Sequence, residues 1–391
     1  MGEFRTVERE FEYVHQQESA SGRGLIVVSS RAVNLQSMVF SVLSAALVPA
    51  RGIHAAPAAA PQEQMAPYLT PQRVVNMGAG RTINFVCLGR GSPTVVLTAG
   101  LGDWSFVWRL VQQPLAKRTR VCAWDRAGYG FSAPSPELQD IVHTTEDLER
   151  ALKKASIQGP YVMVGHSIGA YEALRFADRH RQSVVGMVLV DPAIPDQQAI
   201  RDRILPLFVM EGLVKQLQDC AAKLRSGALQ PSASEFEQCT AAPGVPADFP
   251  SLKAAIARLN ANPARLLTQA STVMEFDSDA AGDSREVINA RRSYGNMPLI
   301  VLTAGRDELQ MLQMFDTGTP EKLAAVRRQI QLFIRDAWVP AHESYAALSK
   351  QGRNQFVSDS GHSIQIEKPE VVISTVIEVL DEIRPSEMHE P

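Results

Sequence analysis

The stretch Tyr161–Ala177, YVMVGHSIGAYEALRFA, decides the fold. An apolar run, Tyr161–Val164, ends in Gly165-His166-Ser167-Ile168-Gly169, and a segment with helical spacing follows. A strand that becomes a helix through so tight a turn holds its central residue in a strained backbone conformation. Side chains two positions before and after it would collide, which accounts for Gly165 and Gly169. The Ser167 hydroxyl is thereby set at a helix N-terminus, where backbone N–H groups and the helix dipole stabilise negative charge. That costly geometry suits a nucleophile. The competing reading is a glycine-rich turn that happens to hold a serine.

Outward from this turn, apolar strands and amphipathic helices alternate. Val74-Val75 and Thr82–Cys87 read as strands about a Gly78-Ala79-Gly80 turn, and Thr94–Thr98 as a strand buried on both faces. Val121–Trp124, Val185–Val190, Leu299–Thr303 and Gln355–Val357 follow as strands, with helix-like segments at Trp108–Lys117, Thr144–Ser156, Ala170–His180 and Glu370–Ile383. This order predicts an α/β fold with a mostly parallel sheet covered on both faces. The alternation breaks between Asp191 and Asn296. There RDRILPLFVMEGLVKQLQDCAAKL, PSLKAAIARLNANPARLLTQASTVMEF and SREVINARRSYG are helical in pattern. The reading is a core of residues 72–195 and 297–391 with a helical cap, 196–296, inserted between two sheet strands. A cap beside a site supplies an apolar pocket and excludes water.

A nucleophilic serine needs a base, and the base an orienting acid. His362, in NQFVSDSGHSIQIEKPEVV, follows a late strand on a small-residue loop and is the expected base. His54 lies in the leader, His143 and His180 lie beside charged helical segments, and His342 sits in a helix-like stretch suited to packing. His166, next to the serine, is expected to point elsewhere. Asp307, in PLIVLTAGRDELQ, is the expected acid, just past a buried strand where side chains emerge at the sheet's carboxyl edge. Asp191, in MVLVDPAIP, is its rival; Glu308 and Asp359 are lesser ones. The order serine, acid, histidine accompanies this kind of turn. Oxyanion donors are expected from the backbone N–H of Ile168 and from that of Leu101, in the loop Thr98–Trp104, where Gly100 and Gly102 permit close approach. Trp104 and the apolar face of Ile204–Phe208, with Leu205 and Phe208, are expected to line the substrate pocket. A helical-core role is an equal alternative for the cap residues.

Together these motifs resemble the α/β-hydrolase fold family from about Gln72 to Ile383. The matching stretches are Ala99–Trp104, Asp125–Ser132, Gly165–Gly169, Gly305-Arg306-Asp307 and Ser360-Gly361-His362. The resemblance implies an eight-stranded sheet with a cap, no cofactor, and a structural turn at Asp125–Gly130. One departure is Ala99-Gly100, where similar proteins often carry His-Gly. Similar enzymes that open epoxides or displace halide use a carboxylate nucleophile. Serine with a histidine base favours acyl transfer through an acyl-enzyme, hence a carboxylic ester or lactone as the small-molecule substrate. Thioester, amide and carbon–carbon bond cleavage stay open.

The chain has 391 residues, 45% hydrophobic and 21% charged, with a formal net charge of −3. Nothing in that balance, or in any basic run, points to nucleic acid. Gly100-x-Gly102-x-x-Ser105 with Asp125 after the next strand mimics a dinucleotide fingerprint. However, Ser105 replaces the third glycine, Trp104 would crowd a pyrophosphate, and His362 would be left unexplained. A binding protein that keeps this fold without turnover is the rival from another class. The four cysteines lack metal-ligand spacing: Cys87 and Cys122 read as free buried thiols, while Cys220 and Cys239 could pair. Residues 1–71 read as a leader. Arg31 precedes an apolar core, Met38–Val48, then small residues near Ile53-His54-Ala55, a secretory layout over 31–55 followed by an Ala/Pro-rich linker. That core is shorter than the ~20 residues needed to span a bilayer. Export to the periplasm or outside is expected, with an unstructured cytoplasmic leader as the alternative.

Overall fold

The computed structural model describes residues 65–197, 211–232, 234–242, 245–277, 292–306, 308, 312 and 319–383. The proposed signal segment lies outside them. So do Leu205, Phe208 and Asp307.

Eight strands form one sheet: β1 Arg73–Gly78, β2 Arg81–Leu88, β3 Thr94–Thr98, β4 Val121–Trp124, β5 Tyr161–His166, β6 Val184–Val190, β7 Leu299–Ala304 and β8 Arg353–Val357. Their order is β1-β2-β4-β3-β5-β6-β7-β8. β2 runs antiparallel to both its neighbours, and every other pairing is parallel. All residues of β3, β4 and β7 are buried, as a sheet covered on both faces requires.

The side-chain alternation of the strands divides the core in two. Val95, Leu97, Val162 and Val164 face one side, with Leu115 of α1 (Gln112–Ala116) and Val372, Val376 and Leu380 of the C-terminal helix Pro369–Ile383. Val96, Met163 and Met187 face the other, with Leu148 and Leu152 of α2 (Ile141–Lys154) and Ala170, Ala173 and Leu174 of α3 (Gly169–Arg179). Every strand expected from sequence is present, with ends displaced by at most three residues.

Between β6 and β7 the described residues hold helices and no strand: α4 Glu211–Ser226, α5 Ser234–Thr240, α6 Pro250–Asn260 and α7 Pro263–Asp277. Residues 292–295, expected as the end of a helix, are loop and turn. After β7 come α8 Pro320–Phe333, a π-helical turn Ile334–Trp338, α9 Val339–Ala346, α10 Ile364–Glu367 and the C-terminal helix, α11. No helix among the described residues is long and apolar enough to cross a membrane.

Packing begins before the expected boundary at 72: Met65 and Tyr68 are buried with Trp104 and Phe106. The cysteines also differ from expectation. Antiparallel register sets Cys87 opposite Cys122, with Cα atoms 4.1 Å apart, and the two are joined as a disulfide. The local sequence alone suggests free thiols, because strand pairing is invisible in a short window. Cys220 of α4 and Cys239 of α5 form the second disulfide.

Candidate active site

Ser167 occupies the turn from β5 into α3 with φ +52°, in the left-handed region that L-residues enter at a cost. A Cβ on Gly165 would stand 2.5 Å from the Gly169 carbonyl oxygen. One on Gly169 would stand 2.4 Å from that of Thr98 and 2.7 Å from that of Ala99. No side chain fits at either position, so both glycines are required by close approach. The turn is anchored by the Ser167 N–H on the Val190 carbonyl at 3.2 Å and by the Ala193 N–H on the Ser167 carbonyl at 3.1 Å.

His362 lies on the loop between β8 and α10. Its Nδ1 is 2.6 Å from Oδ2 of Asp191, which follows β6. Asp191, weighed second at the sequence level, is thus the carboxylate paired with His362, while Asp307, weighed first, lies outside the described residues. β6 is next to β5 in the sheet, so a carboxylate at its end stands close to the turn at Ser167.

The Asp191 carboxylate is fully buried, and its donors converge from three elements. Oδ1 accepts the Ala304 N–H at the end of β7 at 2.9 Å and the Trp338 indole N–H at 3.3 Å. Burial would raise its pKa, but hydrogen bonding and charge from His362 and the Ala304 N–H hold it below the ordinary value. Next in the chain, the Pro192 carbonyl accepts from His342 Nε2 at 2.8 Å. Burial lowers the His342 pKa, so the ring serves as a neutral brace for the Asp191 loop.

His166 was expected to point away from the site. Its Nε2 instead lies 3.0 Å from the His362 carbonyl oxygen, and the two imidazole rings are 4.7 Å apart. A carbonyl only accepts, so Nε2 carries the proton. Burial and the nearby His362 push the His166 pKa down to about 3. The main chain of His362 is thereby bonded to the residue preceding Ser167. A small uncharged ring donor fits beneath a second imidazole, and local sequence carries no sign of it.

The loop after β3 brings Gly100 against this pair: a Cβ there would stand 2.8 Å from His166 Nδ1 and 3.3 Å from Ser167 Cβ. Among the described residues, the N–H groups of Leu101 and Ile168 have no backbone acceptor. Asp103, in the same loop, is buried, and burial pushes its pKa up to about 7 against the opposing charges of His362, Arg109 and Arg126. Trp104 packs with Phe106 and with Leu252 and Ile256 of α6, and its buried indole N–H has no hydrogen-bond partner among the described residues.

Residues 95–375 match the model of the alpha/beta hydrolase family. The chain is 23% identical to YqjL of Bacillus subtilis (strain 168) over 291 residues, covering 74% of this chain and 85% of YqjL. Among solved structures it is similar to the epoxide hydrolase CorEH, with TM-score 0.53 and 19% identity, covering 79% of this chain and 98% of that one. It is also similar to the haloalkane dehalogenase DatA from Agrobacterium tumefaciens C58, with TM-score 0.54 and 17% identity, covering 80% and 96%. At these identities the two structures share the fold.

Proposed function

The chain belongs to the alpha/beta hydrolase family, and on that premise we propose that it is a serine hydrolase cleaving a carboxylic ester or lactone through an acyl-enzyme. Ser167 is the nucleophile, His362 the base and then the acid, and Asp191, in place of Asp307, the group that orients His362. The observation that carries this reading is the 2.6 Å pairing of His362 Nδ1 with buried Asp191, beside a serine held at φ +52°.

An imidazole whose Nδ1–H is bound to a carboxylate presents Nε2 to the reacting hydroxyl. The proton leaves Ser167 Oγ for Nε2 as the oxygen attacks the carbonyl carbon. The imidazolium is stabilised by Asp191, whose depressed pKa keeps it ionised at neutral pH. The tetrahedral oxyanion is taken by the Leu101 and Ile168 N–H groups, and the proton on Nε2 passes to the departing alkoxide. Water then repeats the sequence on the acyl-enzyme. A hydroxyl nucleophile with this base favours acyl carbon over an epoxide or alkyl halide, for which similar enzymes use a carboxylate. Trp104, in the loop after β3, is taken to contribute to the pocket.

The protein is also proposed to be exported. Both cysteine pairs are joined, and disulfides persist in oxidising compartments.

The test is labelling by a fluorophosphonate together with hydrolysis of p-nitrophenyl esters. Labelling is expected at Ser167 alone, and Ser167→Ala and His362→Ala should each lose at least ~10³-fold in kcat. Ester turnover that survives in Ser167→Ala, or ligand binding with no turnover in the wild-type protein, rules the reading out.

A further inference from the structure

Arg126, just past β4, is 3% exposed, and Glu172, in the first turn of α3, is 1% exposed. The two form a two-pronged pair, with Nε 2.6 Å from Oε1 and Nη2 2.8 Å from Oε2. The guanidinium also reaches the loop after β3. Nη2 donates to the Ala99 carbonyl at 2.5 Å and Nη1 to the Gly100 carbonyl at 3.0 Å. Thr98 Oγ1 completes the cluster, bonded to Glu172 and 3.4 Å from Nη2.

A buried ion pair contributes little net stability, because desolvating two charges offsets their attraction. Its placement here has a more specific consequence. The Gly100 carbonyl and the Leu101 N–H belong to one planar trans peptide, so they point in opposite directions. A donor fixed on the Gly100 oxygen therefore sets the direction of the Leu101 N–H on the far side. It also polarises that peptide, which strengthens the N–H as a donor. Glu172 ties the same guanidinium to α3, the helix whose start carries the Ile168 N–H. Ala99 offers only a methyl group, so this segment has no polar side chain of its own to hold it.

We propose that Arg126, held by Glu172, is the positioning residue of the oxyanion hole: it aims the Leu101 N–H and fixes its distance from the Ile168 N–H. The inference rests on the serine-hydrolase reading above. Arg126 touches no reacting atom. Its effect falls on the transition state, where charge develops on the oxyanion, and spares ground-state binding.

The experiment compares wild type, Ser167→Ala, Arg126→Lys and Glu172→Gln. For each it measures kcat and KM with p-nitrophenyl acetate, the inhibition constant of an alkyl trifluoromethyl ketone, and active sites titrated by fluorophosphonate. Lysine keeps the charge beside Glu172 but loses the fork that spans two carbonyls. Arg126→Lys is expected to lose on the order of 10² in kcat per active site. Its KM should stay within about threefold, and its ketone affinity should fall by the same factor as kcat. Full kcat in Arg126→Lys overturns the proposal, and so does a kcat loss with undiminished ketone affinity. A merely structural role would lower the number of titratable sites and leave their ketone affinity intact. If Arg126→Lys does not fold, Glu172→Gln decides: it should lose about 10-fold in both kcat and ketone affinity, and no change in either overturns the proposal. Wild-type protein that neither turns over the ester nor labels at Ser167 sinks the hydrolase reading, and this inference with it. Normal ketone affinity in Arg126→Lys sinks this inference alone.

Discussion

Asp191 and Asp307 both follow a buried strand, and their neighbours tell them apart. Asp191 stands between Val190 and Pro192, fully buried, where an ionised carboxylate survives only with donors around it. Ala304, Trp338 and His362 supply them. The loop that leads to Asp307 begins with exposed Gly305 and Arg306, and Arg306 pairs with Glu367 at 2.6 Å. Asp191→Asn is therefore expected to lose 10³–10⁴-fold in kcat, as when an orienting aspartate no longer fixes the imidazole tautomer. Asp307→Asn should stay within about threefold of wild type. Ester hydrolysis by the two variants decides between them, and the opposite result returns the role to Asp307. Two buried groups at the site also set opposing pH slopes on stability. His166, lowered from an ordinary 6.5 to about 3, contributes stability that is present above pH 6.5 and lost as pH falls toward 3. Asp103, raised from 3.8 to about 7, contributes stability that is full below pH 3.8 and lost as pH rises to 7. Asparagine mimics the protonated carboxyl. Asp103→Asn should match wild type near pH 4 and be more stable by up to about 4 kcal/mol above pH 7. Urea unfolding at stepped pH reads this directly, and parallel stability curves for the two proteins would contradict it.

At the scale of elements, the strands were legible because buried parallel strands are continuous apolar runs, and the helices because their apolar spacing differs from that of strands. The start of α8 carried a readable signal too: Thr319 caps it through Oγ1 on the Lys322 N–H, with Pro320 at the first helical position. Its charged body, PEKLAAVRRQIQLF, obscured the pattern. The docking of α7 was not legible, since it depends on polar contacts more than 130 residues apart. Arg265 of α7, 2% exposed, donates to the carbonyls of Gly130 at 2.8 Å and Ser132 at 3.1 Å and to Asn260 Oδ1 at 2.8 Å. Thr268 exchanges hydrogen bonds with the backbone of Ser135, and Gln269 donates to the Gly128 carbonyl at 2.8 Å. The turn Asp125–Ser132 is held from below by Asp125, which accepts from the N–H groups of Ser105 and Phe131. α7 thus seats on a turn that residues of the core strands and loops already fix. Arg265→Met fills similar volume but leaves those acceptors buried and unpaired. It is expected to cost about 2–4 kcal/mol in urea unfolding, and a loss below 0.5 kcal/mol, the range of an ordinary surface substitution, would show that α7 is seated by its apolar contacts alone.

For the whole molecule, Ser167 and His362 were legible as candidates because each sits in a short motif between recognisable elements. Features that depend on which strands become neighbours were hidden. The pairing of Asp191 with His362 needed the neighbouring of β5 and β6, and the Cys87–Cys122 pair needed the antiparallel register of β2 on β4. The two disulfides fasten different parts of the fold. Cys87–Cys122 spans 35 residues and ties β2 to β4 within the sheet, while Cys220–Cys239 spans 19 residues and ties α4 to α5 among the helices between β6 and β7. Closing loops of these lengths in the unfolded chain is worth roughly 3–4 kcal/mol each on a chain-entropy account. Protein recovered without reductant should therefore take up no iodoacetamide when denatured, and four equivalents after reduction, as read by intact mass. Cys220→Ser paired with Cys239→Ser should lower unfolding stability by about 3 kcal/mol. Because that bridge lies wholly between α4 and α5, away from Ser167 and His362 in the chain, kcat for a small ester should hold. Alkylation of all four thiols in unreduced protein from an oxidising compartment would remove both bridges from the fold and with them the support for export.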